Sequence, residues 1–180
     1  MFNAFDSWVL AKMQKFCDIF QVVTGITKYA VTKWGMILRT FGFVSLVTIY
    51  AVPGANTLLK TLFVLFALSV VTDCLITIKR LELEEKHFLK TGQMLGWTEH
   101  NFNRPWFRLF HFPFMIQSVF TLGSGSGIAY FCTVLGVMLA YYAGSCMPRP
   151  PSKSTLRKWY EKGLTWLSEK LPDDPEPHPA

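Results

Sequence analysis

Charge is scarce in this chain. Only 17% of its 180 residues are charged, against about 25% in ordinary soluble domains. None of the 18 basic or 12 acidic residues lies between Pro53 and Leu59, and none lies between His111 and Pro148. That distribution excludes an ordinary soluble globule and a disordered tail protein, which keep their apolar stretches short. Cysteine is scarce as well. Cys17, Cys74, Cys132 and Cys146 form no Cys-x-x-Cys pair, so a disulfide-framed secreted module is excluded and a reducing setting fits. No repeat of solenoid period and no sustained heptad occurs. What remains is 51% hydrophobic and 16% aromatic, with a mean hydropathy of +0.26. This is the composition of a small polytopic membrane protein.

The net charge of +6 invites a nucleic-acid reading, but its placement argues for topology instead. Residues 1–39 hold five basic and two acidic groups, 79–111 hold six and four, and 147–180 hold six and five. Three basic segments separated by apolar stretches are what the positive-inside rule produces when all three face the cytoplasm. The basic balance therefore needs no DNA or RNA partner. Asp6, Lys12, Lys15 and Asp18 interrupt the first apolar stretch, which argues against a cleavable signal peptide. The expected location is an integral membrane, of the bacterial inner-membrane kind, with both termini cytoplasmic.

Hydrophobic spacing divides the chain into five parts. Residues 1–33 carry an N-terminal amphipathic helix over 2–23, its apolar stripe being Phe2, Phe5, Val9, Met13, Phe16, Phe20 and Val23, with a break at Thr24-Gly25. Residues 34–78 form the first transmembrane hairpin: a span at 34–52, a turn at Pro53-Gly54-Ala55-Asn56, and a span at 58–78 ended by Lys79-Arg80. Residues 79–105 are a cytoplasmic segment into which the second helix continues for about two turns. Residues 106–147 form a second hairpin about the Gly-Ser-Gly-Ser-Gly tip. Its arm 128–147 is a good span, whereas 106–122 is shorter and contains Arg108, His111, Pro113 and Gln117. Positive-inside favours four crossings, with a re-entrant 106–122 as the alternative. Residues 148–180 carry a basic amphipathic helix over 153–171 and an acidic, Pro-rich tail. The fold class expected is all-α, a polytopic membrane protein of two helical hairpins with amphipathic terminal helices.

Three constellations stand out. Folding the first hairpin about residue 56 brings Arg39 and Asp73 to equal depth. A lone charge inside a membrane costs about 2.5–3.5 kcal/mol on insertion scales, and pairing relieves it. The pair is read as an intrahairpin salt bridge or, alternatively, a proton or ion relay. Cys132, Gly136, Ala140 and Gly144 recur every fourth residue and mark a face where helix backbones approach closely. Third, Arg104, Arg108 and His111, with Arg157, Lys158, Trp159, Lys162 and Trp166 on the C-terminal helix, are expected to meet lipid headgroups or a partner.

His87, Glu99 and His100 add to the polar loop, but no zinc-type or Walker spacing occurs. No metal, cofactor or catalytic set is expected. The expected role is a non-enzymatic membrane subunit or scaffold of a larger complex, for example a secretion or transport assembly. Its partners are lipids and other membrane subunits or copies of itself. The alternatives are a homo-oligomeric pore or ion-translocating subunit and, third, a lipid-active enzyme using His100 and His111.

Overall fold

The computed structural model describes residues 2–51 and 56–150, together with Lys158, Lys162 and Thr165; the side chains of Phe2, Tyr50, Ala51, Glu99 and His100 fall outside that description. All regular structure among the described residues is helical. In order these are α1 (Phe2–Thr24), α2 (Lys28–Leu46), α3 (Thr57–Thr91), α4 (Trp97–Phe102), α5 (Pro105–Phe120) and α6 (Gly127–Ser145). A π-type turn, Val47–Ala51, follows α2. The expected turn over Pro53, Gly54 and Ala55 lies outside the described residues, as do most of the helix expected over 153–171 and the tail after it.

Helix ends follow local chemistry. Thr27 caps α2, its side chain accepting from the Ala30 amide, so this helix starts six residues before the expected span at 34. Asn56 caps α3 by accepting from the Leu59 amide at 2.9 Å. Gly92 ends α3 in the left-handed conformation, φ 71°, and its amide reaches back to the Phe88 carbonyl. Between those caps nothing breaks the helix, so α3 runs well beyond the two turns expected after residue 79. Pro105 at the first turn sets the start of α5.

Among the described residues three helices are long and apolar enough to cross a membrane: Lys28–Ile49, Thr57–Thr91 and Gly127–Ser145. The α5 helix has 16 residues, about 24 Å at the helical rise, against roughly 30 Å of hydrocarbon.

The α2 and α6 helices form the centre of the molecule. A Cβ on Gly35 would stand 2.6 Å from the Ala140 amide, and one on Gly42 would stand 2.5 Å from the Thr133 amide. A Cβ on Gly136 would overlap the backbone of Arg39. The two backbones touch because neither side has a side chain to hold them apart. Around this seam lies a core of Tyr29, Met36, Cys74, Leu81, Phe88, Phe102 and Ala140. A second cluster joins Cys17 of α1 to Val31, Ala143 and Cys146.

The α3 helix is buried along one stripe only, through Cys74, Thr77, Leu81, Glu84 and Phe88. Only 11% of its most apolar stretch is buried, against 50% for that of α6. Leu58, Leu62, Val64, Leu65, Phe66 and Leu68 are exposed.

The packing of α1 departs from the stripe its sequence suggested. The buried positions are Asp6, Cys17 and Gln21, with Leu10, Met13 and Phe20 partly buried against the second cluster. Phe5, Trp8, Phe16, Ile19 and Val23 face outward. The helix turns a mixed polar face inward because specific acceptors and donors await it there: Asp6 meets Arg108, and Gln14 and Gln21 bind the backbone after α6. Gln14 exchanges two hydrogen bonds with Met147, donating to its carbonyl at 3.1 Å and accepting from its amide at 2.7 Å. Gln21 donates to the Arg149 carbonyl at 3.1 Å.

Candidate functional site

The hairpin of α2 and α3 is cross-tied at three levels. Lys33 pairs with Glu85 at 3.0 Å. Deeper, Arg39 Nη2 donates to Asp73 Oδ2 at 2.8 Å. Deeper again, the rings of Phe43 and Phe66 meet edge to face at 5.4 Å. The structure thus brings Arg39 and Asp73 together across the hairpin. Their environments differ: the Asp73 side chain is 61% exposed and that of Arg39 is 20% exposed. Above the pair, a cleft of about 350 Å³ is bounded by Phe43, Ser69, Val70 and Thr133. On its other side is a recess of about 210 Å³, lined by polar groups of α2, α3, α4 and α6 together with Arg104.

Arg108, expected to meet a lipid headgroup or a partner, is instead taken up within the chain. Its side chain is 2% exposed. Nε donates to Asp6 Oδ1 at 3.0 Å and Nη2 donates to Asp6 Oδ2, a two-bonded fork that suits a guanidinium. Nη1 donates to Ser145 Oγ at 2.7 Å and reaches Asn103 Oδ1 at 3.3 Å. The Tyr142 hydroxyl also donates to Asp6 Oδ1 at 3.3 Å. Arg108 therefore locks α1, α5 and α6 together, since a buried guanidinium demands a full set of acceptors. His111 is half-buried on α5, a ring nitrogen 2.7 Å from the Phe107 carbonyl. Arg104 is exposed at the start of α5, and Lys158 and Lys162 are exposed. Arg157, Trp159 and Trp166 lie outside the described residues.

The small-residue face splits between two neighbours. Gly136 and Ala140 meet Gly35 and Arg39 of α2, while Gly144 faces the ring of Phe102, where a Cβ would stand 2.7 Å from Cγ. Cys132 is only partly buried. The stripe is thus taken up within the chain.

Four further groups were not anticipated. Lys28 is buried, and its ammonium donates to the carbonyls of Cys146 and Gly144. A cation at the C-terminal end of α6 meets both unpaired carbonyls and the negative end of the helix dipole. Glu84 is 1% exposed. One of its oxygens accepts from the Thr98 amide at 3.1 Å and from the Thr98 hydroxyl, while the other has no partner among the described residues. The Tyr29 hydroxyl, also buried, has none either. Finally, Cys17 and Cys146 are buried thiols in one cluster, and the Cys146 thiol donates to the Tyr142 carbonyl at 3.2 Å. The neighbouring Cys146 thiol holds the Cys17 thiol below its ordinary value.

For Asp6 a signal existed, since it shares a helical face with Leu10, Met13 and Cys17. Lys28 and Glu84 gave none, because exposed and buried charges look alike in a sequence. Among the described residues no three His, Cys, Asp or Glu side chains converge as a metal site would require. No known protein family, curated protein or solved structure matches the chain.

Proposed function

We propose that the chain is a non-enzymatic integral membrane subunit that builds a larger membrane complex, docking through the outer face of α3. Asp73 carries this reading. Lipid can cover the exposed leucines of that helix, but a half-paired carboxylate facing hydrocarbon is costly. Ser69 and Thr72 flank it and are exposed too. A polar strip on an otherwise apolar span is best covered by another membrane helix, where interhelical hydrogen bonds satisfy it. The same proposal includes four crossings, with α5 as the short fourth, amphipathic terminal helices lying at the cytoplasmic surface, and both termini on that side. The outward aromatic stripe of α1 supports the interfacial placement.

The second reading, an ion-translocating subunit, is favoured by the opening of Asp73 toward the cleft beside Ser69 and Thr133. One experiment separates the two. The protein extracted in mild detergent from its native membrane is weighed by native mass spectrometry, and Asp73→Asn is compared. The subunit reading expects heterologous partners that Asp73→Asn weakens. A discrete homo-oligomer that carries current in liposomes, with the current altered by Asp73→Asn, would replace it with the ion-translocating reading. A bare monomer would remove both.

A further inference from the structure

The recess under the Arg39–Asp73 pair has a charge balance that the assembly reading does not use. Among the described residues Arg39 from α2, Arg80 from α3 and Arg104 ahead of α5 all line it, with one carboxylate, Asp73, among them. Three cations against one anion leave an excess of two positive charges. The cations are also under-used. Arg39 gives Nη2 to Asp73, but its Nε is buried without a partner. Arg80 lies over the Trp97 ring at 5.4 Å, which fixes its plane and leaves its N–H edges free of carboxylate. Among the described residues neither Arg80 nor Arg104 has a carboxylate partner. Asn101 adds an amide to the same wall.

Under-used guanidinium groups converging on a small polar hollow call for an anion, and the fork geometry of arginine suits the oxygens of phosphate. Size narrows the occupant. At about 210 Å³ the recess falls below the roughly 300–1,000 Å³ typical of organic-ligand pockets, so it takes an ion-sized group and not a whole metabolite. Depth agrees. Arg80 closes the apolar run of α3 and Arg104 precedes α5, the level at which basic side chains meet headgroups.

We propose that this recess is a phosphate-binding site, holding either the headgroup phosphate of an anionic lipid or free phosphate. The Arg39–Asp73 pair forms its floor, and Arg80 and Arg104 are the residues that grip the oxygens. Occupancy would draw α3, α4 and the start of α5 together at the point where α3 leaves the apolar region.

The test uses the full chain in nanodiscs and in uncharged detergent, with Arg80→Gln and Arg104→Gln as variants. Among the described residues neither is in an ion pair, so both variants should fold; circular dichroism and gel filtration verify this. Arg149→Gln, exposed and away from the recess, is the control. In the first arm, phosphatidylglycerol retained by protein from mixed phosphatidylcholine nanodiscs is counted by native mass spectrometry. In the second, inorganic phosphate is titrated calorimetrically in uncharged detergent. Each variant should weaken the productive arm about tenfold, with Arg149→Gln unchanged. Binding in the lipid arm alone assigns the headgroup, and binding in the phosphate arm alone assigns the free ion. No binding in either arm, or binding that the two variants leave as it was, overturns the site.

Discussion

Arg108 shows what one buried charge can organise. Its acceptors come from α1, the α4–α5 link and α6, so three otherwise separate elements depend on a single guanidinium. Removing one partner of such a pair leaves the other uncompensated. Asp6→Ala is therefore expected to destabilise the fold by about 3–5 kcal/mol, and Arg108→Ala by a similar amount. The double variant Asp6→Leu with Arg108→Met should recover most of the loss, because two apolar groups need no acceptors. Reversible unfolding in mixed micelles of mild detergent and dodecyl sulfate measures all three. Single variants costing less than about 1 kcal/mol would mean that water reaches the pair. The residue type and position of Arg108 were legible in the sequence, as was its unusual place on an apolar helix. Its partner was not, since Asp6 is 102 residues away and only packing brings the two together.

At the scale of elements, the seam between α2 and α6 decides the architecture. The four-residue spacing of Gly136, Ala140 and Gly144 declared a close approach, and the structure sets Gly35 and Gly42 of α2 against that helix. The stripe did not state its partner, because small residues specify distance and not identity. Gly136→Val should push the Arg39 backbone away and cost about 1–3 kcal/mol through overpacking. It should also weaken the Arg39–Asp73 contact, because Arg39 is the residue displaced. Gly123→Ala, with nothing within 4 Å of the added carbon, should leave stability unchanged in the same assay. Equal losses at both glycines would argue against a backbone seam. The α1 helix teaches the opposite lesson. Its aromatic periodicity was real, yet the side that packs is the mixed one, because hydrogen-bonding partners at Arg108 and Met147 outweigh the burial of rings that a lipid surface can cover as well.

For the whole molecule the open quantity is the course of the second hairpin. Among the described residues three helices satisfy the length and hydropathy of a span, while α5 falls short by about 6 Å of the roughly 30 Å core. A short helix can still cross where the bilayer thins or where its partner carries the load, and α5 is packed along α6. The four-crossing proposal expects the loop from Thr121 to Ser126 on the side opposite both termini. In a cysteine-free background, Ser124→Cys should react with a membrane-impermeant maleimide only from that far side. Reaction from the cytoplasmic side would show that α5 returns without crossing and would move α6 into a different orientation.

What the sequence determined by itself is the solvent the chain is built for and the helices it forms. Charge-free runs and the small-residue spacing are local properties, read within a few turns of helix; the caps at Thr27 and Asn56 and the stop at Gly92 are equally local, but the expected bounds at 34 and two turns after 79 missed them. The equal depth of Arg39 and Asp73 was also readable, because a tight hairpin converts sequence separation into position. Only the tertiary structure decided which face of α1 packs, that Arg108 is buried and not at a headgroup, that Lys28 caps α6, and that Arg39, Arg80 and Arg104 share one recess. Those facts depend on contacts between residues far apart in the chain, where the energy of pairing a buried charge outweighs local preference.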